Sequence, residues 1–145
     1  MTNKTFQIYV DGGCRNNGNC RAAAYGSYKL LFNGQEKKHD TFELPGCQTN
    51  NEAEYESMHQ ALLYLQGLAA RMAEQQYPVA EYAIEINCDS ELVVEQIAGR
   101  RRAKKATMIE ALHKVQSVIG TLEKRFRKVN IHWVERAIIV EQLGH

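Results

Sequence analysis

Apolar and polar positions alternate at the start of the chain, with Phe6, Ile8 and Val10 set against Thr5, Gln7 and Tyr9. This period of two predicts a half-buried strand ending at Asp11. Gly12-Gly13-Cys14-Arg15-Asn16-Asn17-Gly18-Asn19 is rich in residues that accept turn geometries, and predicts a turn. Residues 22–32 read as a second strand. Asn33-Gly34 is a strong hairpin signal, so residues 35–44 are expected to return antiparallel before Pro45-Gly46 breaks the pattern. Thr49-Asn50-Asn51-Glu52 then has the form of a capping box. Tyr55, Met58, Leu62, Leu65, Ala69 and Met72 follow at helical spacing. Residues 82–88 form a fourth strand, flanked in sequence by helices and so expected to run parallel to the first. Ser90 caps a short helix through Ala98, with Leu92, Val93 and Ile97 inward and Gly99 closing it. Met108, Leu112, Val115, Ile119, Leu122 and Phe126 mark a long amphipathic helix. Residues 129–134 give a fifth strand, and residues 137–143 about two turns of helix. The order β-β-β-α-β-α-α-β-α implies an α/β protein built on one mixed sheet with helices on its faces.

The chain has 145 residues, enough for one domain with a core of its own. Hydrophobic residues make up 44% and charged residues 24%, which excludes a disordered chain. No apolar run approaches the ~20 residues of a membrane span, and the first residues carry no apolar signal core. A cytoplasmic monomer is the expectation. Cys14, Cys20, Cys47 and Cys88 form no C-x-x-C pair, and read as free thiols of a reducing compartment. A Cys14–Cys20 bridge is the alternative that the spacing leaves open. The net charge is only +1, but it is unevenly spread. Residues 1–99 hold 7 Lys/Arg and 13 Asp/Glu, whereas residues 100–145 hold 11 and 4. Such asymmetry suggests a polyanionic partner for the basic half.

Sites in open α/β sheets gather beyond the carboxyl ends of parallel strands. Two such ends here carry an acid, Asp11 and Asp89, and Glu54 lies early enough in the first helix to reach the same rim. Converging carboxylates repel unless cations neutralise them, and hard oxygen ligands suit Mg²⁺ or Mn²⁺. Two such ions can promote displacement at phosphorus. Each acid alone also has a structural explanation: a turn former after a strand, or a helix N-terminal charge. A nucleotide-cofactor enzyme is disfavoured, since neither G-x-G-x-x-G nor G-x-x-x-x-G-K-S/T occurs. A serine hydrolase is disfavoured by the lack of G-x-S-x-G.

Asp11-Gly12-Gly13 with Asn16-Asn17-Gly18, Thr49-Asn50-Asn51-Glu52-Ala53-Glu54-Tyr55, Cys88-Asp89-Ser90 and Trp133-Val134-Glu135-Arg136 resemble ribonuclease H type 1. The likeness is to the compact bacterial and archaeal members without a basic protrusion, and it spans nearly the whole chain. It implies a ribonuclease H-like fold over residues 1–145, with five strands in order 3-2-1-4-5, strand 2 antiparallel, and helices on both faces. It also implies an endonuclease that hydrolyses the RNA strand of an RNA–DNA hybrid with two Mg²⁺ ions, Mn²⁺ being a possible substitute. Asp11, Glu54 and Asp89 match the family's first three carboxylates. Asn50 and Asn51 match residues that meet the hybrid in its minor groove, where the 2′-hydroxyl is displayed. Asn16, Asn17, Lys104 and Arg136 fall at further substrate-binding positions, Lys104 as a point charge for the backbone.

The C-terminus departs from the family pattern. Glu135 stands where members usually carry proline, and no Asp follows Asp89. Glu141 is the stand-in for the fourth carboxylate, about two residues early. His132 and His145 are secondary candidates for proton transfer. The altered fourth acid keeps open a weakened member that binds hybrids or structured RNA. A DNA nuclease or resolvase of the same fold is a third reading, which the Asn50-Asn51 pair disfavours.

Overall fold

The computed structural model describes residues 4–14, 23–47 and 49–144. Five strands form one sheet in the order β3-β2-β1-β4-β5. They are β1 (Thr5–Cys14), β2 (Ala24–Phe32), β3 (Gln35–Glu43), β4 (Ala83–Cys88) and β5 (Lys128–Trp133). β2 is antiparallel to both β1 and β3, while β1, β4 and β5 run parallel. The helices are α1 (Asn50–Glu74), α2 (Glu91–Ile97), α3 (Ala106–Glu123) and α4 (Arg136–Leu143). A single 3₁₀ turn at Val79–Glu81, absent from the sequence reading, leads into β4.

Local chemistry explains most boundaries. Asn33 and Gly34 both take positive φ, 51° and 78°, the requirement of a tight hairpin turn whose twist matches its strands. The Thr49 side chain accepts from the Glu52 amide at 3.1 Å and starts α1. Ser90 does the same for α2 through Val93. Gly99 follows α2 with φ +81°, as a left-handed helix stop demands.

One face of β1 (Phe6, Ile8, Val10) and of β4 (Ile84, Ile86, Cys88) packs under α1 and α3. Ile8, Leu30, Met58, Leu62, Leu65, Ile84, Ile86, Val115 and Leu122 are fully sealed there. Burying each such side chain stabilises the fold by about 1.5–3 kcal/mol relative to exposure. α4 covers part of the opposite face, where Lys29 Nζ donates to the Gln142 carbonyl at 3.2 Å. Among the described residues no helix is long and apolar enough to cross a membrane.

Three expectations are corrected. Gly12 and Gly13 are not a turn. β1 continues through them, pairing Gly12 with Gly26 and Gly13 with Tyr25. The inward face of α2 is Val93, Val94 and Gln96, with Leu92 and Ile97 only half-buried. Gln96 goes inward because its side-chain oxygen accepts from the buried Tyr55 hydroxyl at 2.5 Å. Cys14 is disulfide-bonded rather than a free thiol. Cys47 and Cys88 are free and buried, and Cys20 lies outside the described residues.

Candidate metal and nucleic-acid site

The register of the parallel pair builds the site. Val10 lies opposite Cys88, the last pair of the parallel β1–β4 ladder, so the next residues, Asp11 and Asp89, emerge side by side where that ladder ends. Glu54 comes from α1, and a close backbone contact brings it there. A Cβ at Gly12 would meet the Ala53 carbonyl oxygen at 2.3 Å and Ser57 Oγ at 2.4 Å. Only a residue without a side chain lets this turn of α1 rest on β1. Asp11-Gly12 and Ala53-Glu54 are therefore two halves of one contact. Ser57 donates its hydroxyl to the Ala53 carbonyl at 2.7 Å, which holds its oxygen against the Gly12 backbone.

The result is a group of three carboxylates, Asp11, Glu54 and Asp89, with one oxygen from each lying within 4.8 Å of the others. They line a cleft of about 420 Å³ together with Asn50, Asn51, Tyr25 and Arg136. Asp11 is buried, its side chain only 1% exposed. Burial pushes the Glu54 carboxyl up to about 7; a hydrogen bond from Ser90 opposes this, while the Asp89 and Asp11 charges add to it. The Ser90 hydroxyl also caps α2, accepting from the Val93 amide at 3.3 Å. Trp133 Nε1 donates to the Asp89 carbonyl at 3.2 Å and fixes that loop from β5. Sequence reasoning missed the Trp133 contact, which joins residues 44 apart in the chain. Burial also pushes the Cys88 thiol up, with the neighbouring carboxylates in the same direction, so it is not an activated nucleophile.

Arg136, the first residue of α4, reaches into this group. Its Nη1 donates to Asp11 Oδ1 at 3.1 Å and to Asp89 Oδ2 at 2.8 Å. These bonds, that to Asp89 foremost, raise the guanidinium pKa further above its ordinary value. Hard carboxylate oxygens at this separation suit Mg²⁺ or Mn²⁺, and a cationic side chain already seated among them shows that the cluster accepts positive charge.

The other sequence candidates divide. Asn50 and Asn51 are exposed at the start of α1, on the wall of the cleft. Asn51 also borders a second groove of about 440 Å³, lined by Arg102, Lys104 and Lys105. Asn16, Asn17 and His145 lie outside the described residues. The structure does not bring Glu141 into the cluster. Successive helical residues turn by about 100°, and α4 buries Ile139 and Leu143. Glu141, two residues from Ile139, therefore projects away from the sheet and is exposed. His132 pairs with Glu85 across β4 and β5, away from the three carboxylates.

Sheet order and carboxylate cluster together define a ribonuclease H-like α/β protein with a candidate divalent-metal site. The chain belongs to the RNase H family, whose model matches residues 3–136. That match stops at Arg136. The bifunctional protein Rv2228c of Mycobacterium tuberculosis is 31% identical over 130 residues, covering 90% of this chain. This chain spans about a third of that relative's length, 31%. LC11-RNase H1, isolated from compost by a metagenomic approach and solved in complex with an RNA/DNA hybrid, superposes with a TM-score of 0.75 at 25% identity. The alignment covers 94% of this chain and 90% of that one. RNase H1 of the archaeon Halobacterium salinarum superposes with a TM-score of 0.70 at 22% identity, covering 97% and 92%.

Proposed function

We propose that this chain is an endonuclease that hydrolyses the RNA strand of RNA–DNA hybrids with two divalent metal ions. The observation that carries this reading is the convergence of Asp11, Glu54 and Asp89 in one cleft bordered by Asn50 and Asn51. Family membership supports a nuclease, and the hybrid complex of LC11-RNase H1 supports the substrate class. When bound, two Mg²⁺ or Mn²⁺ ions supply an activated water and a stabilised leaving oxygen at phosphorus. The chain's own residues would hold the ions through the three carboxylates, and Trp133 anchors the backbone at Asp89.

In this reading Asn50 and Asn51 present short polar side chains to the ribose 2′-hydroxyls of the RNA strand. Replacing either with Ala removes about one hydrogen bond, worth about 0.5–1.5 kcal/mol. Its preference for hybrid over duplex DNA then falls about two- to tenfold, read as the ratio of binding constants. Unaltered preference in both variants would refute ribose reading.

The groove beyond Asn51 carries the backbone contacts. Lys104 is exposed there beside Arg102 and Lys105. Each phosphate neutralised by a cation contributes about −0.9 to the slope of log binding constant against log salt on duplex DNA. Lys104→Ala lowers that slope by about one and leaves turnover at saturating substrate nearly intact. An unchanged slope would place Lys104 in solvent.

The exposed position of Glu141 favours a second reading, a slow enzyme that chiefly binds hybrids. Turnover in Mg²⁺ separates the two.

A further inference from the structure

We propose that Arg136 is an internal counter-ion of the metal-free carboxylate cluster, which a divalent cation must displace on binding. The inference rests on the metal-dependent reading given above. One guanidinium nitrogen donates to Asp11 Oδ1 and Asp89 Oδ2 at once, at 3.1 and 2.8 Å. It therefore lies between two of the three groups that would hold an ion. The two acids are nearly out of solvent, with side chains 1% and 8% exposed, so water does little to separate their charges. The Arg136 side chain is different, 53% exposed. It stands at the first position of α4, where the helix leaves the rim. It can swing out without unpacking Ile139 or Leu143, the residues that anchor that helix.

This arrangement makes binding an exchange of cations. The guanidinium offsets part of the cluster's negative charge when no metal is bound and ties β1, β4 and α4 together through its bonds to Asp11 and Asp89. A dication entering the cluster must break both ion pairs, so the apparent affinity is lower than the carboxylates alone would give. The released side chain projects into the cleft beside Asn50 and Asn51, where a phosphate of the substrate becomes its next partner. Metal entry thereby creates a phosphate contact that the metal-free protein withholds.

The test uses the full chain stripped with EDTA and then titrated with Mn²⁺ alone, followed by calorimetry and by the electron paramagnetic resonance signal of free Mn²⁺. Arg136→Gln is expected to bind Mn²⁺ about tenfold more tightly than the parent, the scale of one lost charge-assisted interaction. Arg136→Lys keeps the charge and is expected to stay near the parent. In EDTA, Arg136→Gln melts below the parent, and saturating Mn²⁺ closes that gap. Equal or weaker Mn²⁺ affinity in Arg136→Gln overturns the counter-ion proposal and leaves the metal reading standing. No Mn²⁺ binding by the parent or either variant removes both.

Discussion

Asp11→Asn is expected to lower turnover on an RNA–DNA hybrid in Mg²⁺ by about three orders of magnitude, the scale on which removal of a preorganised charge is felt at a reaction centre. Asp11 is the most enclosed of the three acids, with an oxygen within 4.8 Å of one from each of the other two. The amide keeps the shape and an oxygen for Arg136, but loses the charge that a metal ion requires. Stability moves the other way. Three acids in one cleft repel, and burial and its neighbours already drive the Glu54 carboxyl up to about 7. Removing one charge relieves that repulsion, so the metal-free variant melts at or above the parent temperature. Substrate binding persists, the pattern of a lost transition-state contribution rather than a lost contact. Turnover within threefold of the parent would show that Asp11 holds no metal.

Gly12→Ala is expected to damage both fold and activity through a single methyl group. The added carbon would sit 2.3 Å from the Ala53 carbonyl oxygen and 2.4 Å from Ser57 Oγ. Ser57 can rotate, but Ala53 is helix backbone and cannot yield without moving α1. Overpacking of this kind costs about 1–3 kcal/mol, which for a chain of this size lowers the melting temperature by roughly 3–10 °C. The movement also carries Glu54 away from Asp11. A misplacement of about 1 Å costs turnover on the order of a hundredfold. Gly46→Ala serves as the comparison, because its new carbon meets nothing within 4 Å. Parental melting temperature and turnover in Gly12→Ala would mean that the close approach of α1 to β1 is not what positions Glu54.

The contrast between Gly12 and Asn33-Gly34 shows what can be read from the sequence. Asn33-Gly34 specifies its hairpin through local backbone angles, and Thr49 specifies a helix start through one hydrogen bond three residues on. Such signals are short-range and survive without a structure. Gly12 and Gly13 carry an equally strong local turn signal, yet β2 pairs with them and α1 needs the missing side chain of Gly12. That requirement is tertiary. Asp11, Glu54 and Asp89 were legible because the end of the parallel β1–β4 pairing and a helix start determine where they emerge. Arg136 was legible as a family position but not as an ion partner, since Asp11 lies 125 residues away. Glu141 could not be placed from sequence because Ala137, Ile138, Ile139 and Val140 form an apolar run, and only packing reveals which of them faces the sheet. Ile139 does so, and that rotation turns Glu141 outward.

The most direct test is cleavage itself. An RNA strand labelled at one end is annealed to DNA and incubated with the chain in Mg²⁺, beside the same reaction in EDTA and beside duplex RNA and duplex DNA. Internal cleavage of the labelled RNA strand in the hybrid alone, only when Mg²⁺ is present, is the predicted result. An intact hybrid under conditions where the chain binds both Mg²⁺ and hybrid, or equal cleavage of duplex DNA, would contradict it.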